Sequence, residues 1–82
     1  MKLTKFLHEN KLQFQINYDL HTEMFVSHIK YLYIEDGFRF GYGKTIKESV
    51  NQYVRHVRGK VSVCKNHAGS ELRRINIPDD LI

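Results

Sequence analysis

From Leu12 to Leu20 apolar and polar side chains alternate without a break: Leu12, Phe14, Ile16, Tyr18 and Leu20 are separated by Gln13, Gln15, Asn17 and Asp19. A period of two is the signature of a β-strand, whose successive side chains point to opposite faces. Such a strand buries its apolar side only as part of a sheet, so this stretch commits the chain to a sheet-containing fold. Its polar set holds no acid before Asp19, an amide-rich face that suits solvent or a partner.

With 82 residues there is room for one domain, 1–82, and not for a second. A chain of this size buries only about 60–65% of the surface its unfolded form exposes. Nearly every large apolar residue is then needed for the core, which favours a binding module over an enzyme with an enclosed pocket. Leu3, Phe6 and Leu7 lie at helical spacing among Lys2, Lys5, His8 and Glu9 and predict a short amphipathic helix ending near Asn10.

After His21-Thr22-Glu23 a β-rich stretch runs from Met24 to Ile34, followed by Glu35-Asp36-Gly37 and then Phe38 to Tyr42. Asp-Gly between apolar runs predicts a two-residue hairpin turn, because type I′ geometry needs positive φ at both central residues. That turn sets Glu35 opposite Phe38, Tyr33 opposite Phe40 and Tyr31 opposite Tyr42. One side of the hairpin then collects Phe25, Ile29, Tyr31, Tyr33, Phe38, Phe40 and Tyr42. The other holds Met24, Val26, His28, Lys30, Leu32, Ile34, Arg39 and Gly41. With two helices to supply a cover, the aromatic side is expected to be core rather than a platform for stacking bases.

Thr45-Ile46-Lys47-Glu48 reads as a capping box, in which Thr45 caps the first turn and Glu48 reaches back to the Thr45 amide. Ile46, Val50, Tyr53, Val54 and Val57 mark one face of the helix that follows. Arg55 and Arg58 complement its C-terminal dipole, and Gly59 supplies the left-handed stop. Val61 and Val63, the turn-like Asn66-His67-Ala68-Gly69-Ser70, and Ile75 and Ile77 before Pro78 predict a short hairpin, with an acidic tail at Asp79-Asp80. The expected architecture is α+β: a helix, a three-stranded antiparallel meander, a second helix, both helices packed on one sheet face, and an extra C-terminal β-hairpin.

The formal charge of +4 is unevenly spread. Residues 1–54 carry seven Lys/Arg against six Asp/Glu, whereas residues 55–74 carry Arg55, Arg58, Lys60, Lys65, Arg73 and Arg74 against Glu71, a balance of +5. Cations grouped on one face contact phosphates and release counterions, the sequence-independent part of nucleic-acid affinity. The same group also suits an acidic protein surface, or simply solvent.

Other chemistry is thinly represented. None of His8, His21, His28, His56 and His67 stands at ligand spacing from another His or from Cys64, so no metal site is predicted. No Ser-centred elbow occurs, and Gly41-Tyr42-Gly43-Lys44-Thr45 lacks the first glycine and the length of a phosphate loop. Its glycines are expected to ease the chain from strand into helix. No catalytic residue and no cofactor is assigned. The single cysteine excludes an internal disulfide framework and points to the cytoplasm. Lys5, His8, Glu9 and Lys11 interrupt any signal-peptide core, and the weakly charged run Met24 to Ile34 is far shorter than the roughly 20 residues a membrane span needs.

The order helix, strand, strand, strand, helix over residues 2–59 resembles the double-stranded-RNA-binding domain. The junction Gly41-Tyr42-Gly43-Lys44-Thr45-Ile46-Lys47-Glu48-Ser49-Val50-Asn51 looks like that family's entry into its second helix. By this resemblance Thr45 is the cap, Lys47 one of the lysines of a Lys-Lys-x-Ala-Lys run that grips phosphates, and Ser49 the small residue, with Ile46 and Val50 at the other lysine positions. His21 stands in for the histidine of the family's first inter-strand loop, here without Gly-Pro, and Glu9 for a first-helix glutamate that reaches a ribose hydroxyl. Gly43-Lys44-Thr45-Ile46-Lys47-Glu48-Ser49 is also similar to the strand-to-helix entry of HicB-like antitoxins.

Together these readings predict a small non-enzymatic protein that contacts RNA or DNA phosphates through Arg55, Arg58, Lys60, Lys65, Arg73 and Arg74, with Lys44 and Lys47 at the helix start. The alternative is a protein-binding regulator or inhibitor of a larger nucleic-acid-handling complex, phage- or antitoxin-like. The chain is expected to be a monomer or a homodimer, without a membrane partner.

Overall fold

The computed structural model describes residues 1–35 and 40–82. In chain order its elements are α1 (Leu3–Glu9), β1 (Phe14–Asp19), β2 (Met24–Ile29), β3 (Leu32–Ile34), β4 (Gly41–Gly43), α2 (Ile46–Val57), β5 (Val61–Lys65) and β6 (Glu71–Asn76). They form two three-stranded antiparallel sheets, ordered β1-β2-β4 and β3-β5-β6. The α+β class, both helices and the C-terminal hairpin agree with the sequence reading, and the single meander does not.

The reason is a break at Tyr31, which adopts φ +61 between β2 and β3. A non-glycine residue in the left-handed region ends the strand and turns the chain. β2 pairs with β1 on one side (Phe14 opposite Ile29, Ile16 opposite Ser27, Tyr18 opposite Phe25) and with β4 on the other (Val26 opposite Tyr42). β3 leaves for the second sheet, where Tyr33 faces Val63 and Ile34 faces Ser62. The expected pairs Tyr33 with Phe40 and Tyr31 with Tyr42 are therefore absent. The Asp36-Gly37 turn and the Glu35–Phe38 pair, with Arg39, lie outside the described residues.

The break also exchanges inside for outside. In an unbroken strand Ile29 would share a face with Tyr31 and Tyr33, but here Ile29, Leu32 and Ile34 are all buried, while Tyr31 and Tyr33 are half-buried. A shift of one residue moves a whole strand's side chains to the opposite face. The core consists of Phe6 from α1, these three residues, Tyr53, Val54 and Val57 from α2, and Ile75, Ile77 and Leu81. The side expected to be core is split: Ile29 is fully buried and Phe25 half-buried, whereas Phe40 and Tyr42 are 37% and 39% exposed.

α2 begins as its cap predicts, with the Glu48 amide donating to Thr45 Oγ1 at 3.1 Å. The Glu48 carboxylate accepts from the Lys44 amide at 3.3 Å, one residue before the expected partner. The helix then lies directly against β4. A Cβ on Gly41 would run into the Ser49 carbonyl oxygen and stand 2.5 Å from the Tyr53 amide nitrogen. One on Gly43 would stand 2.5 Å from the Ser49 amide nitrogen. These glycines thus do more than ease a strand into a helix: they let two backbones meet. Between them the buried hydroxyls of Ser27 and Ser49 lie 2.7 Å apart. Since Ser49 donates to the Ile46 carbonyl at 2.9 Å, Ser27 supplies the proton of the Ser27–Ser49 bond.

The chain ends join as well. Leu3 donates to the Ile82 carbonyl at 2.8 Å and Ile82 to that of Met1 at 2.9 Å, while the Ile77 amide bonds the Lys60 carbonyl at 3.0 Å. Asp79-Asp80 is consequently not a tail but a turn between the buried Ile77 and Leu81. Among the described residues no helix is long and apolar enough to cross a membrane.

Two outcomes follow for urea unfolding. Gly41→Ala and Gly43→Ala each lower stability by at least about 2 kcal/mol, because backbone rather than a flexible side chain must give way. Ser49→Ala, which strands the buried Ser27 hydroxyl, costs more than Ser27→Ala, which leaves Ser49 bonded to Ile46; the expected values are about 2 and about 1 kcal/mol.

Candidate nucleic-acid interface

The eight cations singled out in the sequence divide between two parts of the fold. Lys47, Arg55 and Arg58 lie on the outer side of α2 with Asn51 between them, all exposed. At 100° per residue the four fall within an arc of about 80°, and at 1.5 Å per residue they span about 16 Å along the axis. Lys44 is exposed just ahead of the Thr45 cap. Among the described residues none of these four cations carries an ion pair. They form an exposed basic stripe.

The hairpin cations are placed differently. Arg74 holds Glu35 at 2.9 Å and Glu71 at 3.8 Å. Arg73 donates to the Asn10 carbonyl, tying β6 to the end of α1. The Lys65 ammonium sits 5.1 Å from the centroid of the Tyr33 ring. Lys60 is half-buried in the turn after α2. A count along the chain cannot see these pairings, since Glu35 and Asn10 are distant in sequence from the arginines they hold.

Arg55 and Arg58 border an open groove of about 440 Å³. Tyr42, Glu48, Asn51, Val54 and the C-terminal Leu81-Ile82 also line it. Gln52 ties α2 to β4, its side-chain oxygen accepting from the Tyr42 amide at 2.6 Å. β4 is an edge strand, so this bond satisfies an amide that would otherwise face outward.

α2 lies over β4 and β2 on the side of the first sheet that carries Phe14, whose ring meets Tyr53 edge-on at 5.6 Å, while Ile16 and Tyr18 farther along β1 on that side stay exposed. Among the described residues no helix lies over the opposite side. There the strand registers gather Gln15 and Asn17 from β1, Val26 and His28 from β2, and Phe40 and Tyr42 at β4. His28 packs edge-on against Phe40 at 5.0 Å, and the Phe40 and Tyr42 centroids are 6.5 Å apart with their planes tilted by 59°. The sequence contains a signal for this arrangement. Glycines on both sides of Tyr42 mark the positions that face a closely packed helix, and alternation then turns Tyr42 and Phe40 the other way.

A smaller groove of about 240 Å³ lies at the far end of β3, where Tyr31 meets His67 through a 2.8 Å hydrogen bond beside the half-buried Cys64. Among the described residues no three His, Cys, Asp or Glu side chains gather as metal ligands do. Burial pushes the Tyr53 hydroxyl up to about 12. No family model, no curated protein and no solved structure matches the chain.

His28 makes folding sensitive to pH. Its Nδ1 is buried and has no hydrogen-bond partner among the described residues, and burial holds the ring's pKa below its ordinary 6.5. The folded state therefore prefers the neutral ring. This contribution to stability is complete above pH 6.5 and is lost as the pH falls through and below that value. Unfolding midpoints measured from pH 7.5 down to 5 should decline for the natural chain, and less steeply for His28→Gln.

Proposed function

We propose that this protein is a small, non-enzymatic, cytoplasmic nucleic-acid binder that takes phosphates along the outer face of α2. The observation that carries this reading is the exposed stripe of Lys47, Arg55 and Arg58, with Lys44 ahead of it and no acidic partner drawn to it among the described residues. Cations without partners at home gain most from phosphates, since their contacts release condensed counterions and no internal ion pair is broken. The local resemblance of the entry into α2 to the double-stranded-RNA-binding domain supports it, Lys47 being the position common to the stripe and to that family's phosphate-gripping run, while the four strands between the helices, split over two sheets, depart from that family's order. The hairpin cations of the original set have a lesser part here, because Arg73, Arg74 and Lys65 already serve the fold.

A protein-binding regulator that presents the same stripe to an acidic surface is the second reading. It is favoured by the uncovered side of the first sheet, where Met24 and Val26 are only half-buried.

Titration of the protein with RNA and DNA duplexes and single strands at low and physiological salt separates the two. Binding that weakens steeply with salt is expected. The Arg55→Ala/Arg58→Ala pair should reduce the slope of log affinity against log salt by about 2, one for each phosphate that is no longer neutralised. Arg74→Ala should leave both affinity and slope unchanged. Absence of affinity at low salt, or affinity indifferent to salt, would contradict the reading.

A further inference from the structure

We infer that the uncovered side of the first sheet is a base-stacking platform, and that the preferred ligand of this protein is a single-stranded nucleic acid. The inference deepens the phosphate-binding reading and rests on it. It begins from Phe40 and Tyr42, two large rings on the solvent side of β4, each more than a third exposed in a chain short of core. At 6.5 Å and 59° the two rings do not stack on each other, and His28 meets Phe40 edge-on at 5.0 Å, which leaves Tyr42 the more open of the two to a further planar group. Tyr42 belongs to both surfaces. Its ring is part of the platform, and the same residue lines the groove that Arg55 and Arg58 border.

A ligand that satisfies both surfaces carries anionic groups and flat apolar groups in regular succession. A single strand does so: its phosphates can follow the Arg55–Arg58 wall while its bases turn over the β4 edge onto Tyr42 and then Phe40. A duplex cannot, because its base faces are already used in its own stack. The rest of the platform agrees with bases as the occupant. Gln15 and Asn17, on the same side of the sheet but across Val26 and His28 from the rings, offer amide donors and acceptors to base edges. The acid nearest to them on the strand, Asp19, is turned onto its own loop, accepting from the His21 amide at 3.0 Å and the Thr22 hydroxyl at 3.1 Å.

The experiment is fluorescence anisotropy with a labelled 12-nucleotide single strand and the duplex of the same sequence, each at two salt concentrations. The natural protein should bind the single strand more tightly. Phe40→Ala/Tyr42→Ala should weaken single-strand binding about tenfold or more while leaving its salt slope and the duplex affinity unchanged. Tyr42→Phe, which keeps a ring, should retain most of the affinity. Neither ring is part of the core, and urea unfolding of each variant checks that the fold is intact. Equal or tighter duplex binding, or ring variants that bind the single strand as the natural chain does, would overturn the platform and leave the α2 stripe as a phosphate site. No salt-dependent binding of either ligand would overturn both and leave the sheet to a protein partner.

Discussion

α2 lies so close to β4 that their backbones meet with no side chain between them. Gly41 and Gly43 are the positions of contact, and the Ser27–Ser49 hydroxyl pair fills the neighbouring space with the smallest side chains able to satisfy each other. Interiors are close-packed, so a helix seated this deeply has few alternative positions. Its register on the sheet then sets what faces outward from both. The first sheet turns Tyr42 and Phe40 away, and α2 turns Lys47, Arg55 and Arg58 away. Tyr53, fully buried on the inner side, joins the two sheets' cores.

The second sheet serves this arrangement rather than extending its outer surface. β5 and β6 return after Gly59, cover the opposite side of the core with Ile75 and Ile77, and bring the last residues beside Met1 and Leu3. Its charges are used structurally. Arg74 links β6 to Glu35 at the end of β3, and Arg73 links β6 to the end of α1. Exposed pairs of this kind contribute little stability individually, but they occupy cations that a charge count along the chain assigns to a ligand.

Elements with local causes were readable in the sequence. The alternation of β1, the cap and glycine stop of α2, and the β5–β6 hairpin all follow from neighbouring residues, and all appear close to their expected limits. What was not readable depends on distant residues. The break at Tyr31 needs a strained φ that no turn residue announces, and it is stabilised by where β3 goes rather than by its own composition. From that break come the missing hairpin pairs and the exchange of aromatic core for aromatic surface. The candidate site was readable in part. Lys44, Lys47, Arg55 and Arg58 were found because helical spacing is local, whereas the rings were assigned to the wrong side of the sheet and the hairpin cations were grouped without their partners.

A two-dimensional NMR titration of the isotope-labelled protein with a short single-stranded oligonucleotide tests the shared phosphate and base surface most directly. Shifts are expected at the amides of β4 with Phe40, at Val26 and His28 of β2, at Gln15 and Asn17 of β1, and along the outer side of α2 from Lys47 to Arg58. The β5–β6 hairpin, including Arg73 and Arg74, should remain unperturbed. Shifts centred on that hairpin, or a spectrum unchanged at saturating ligand, would contradict a binding surface built on β4 and α2.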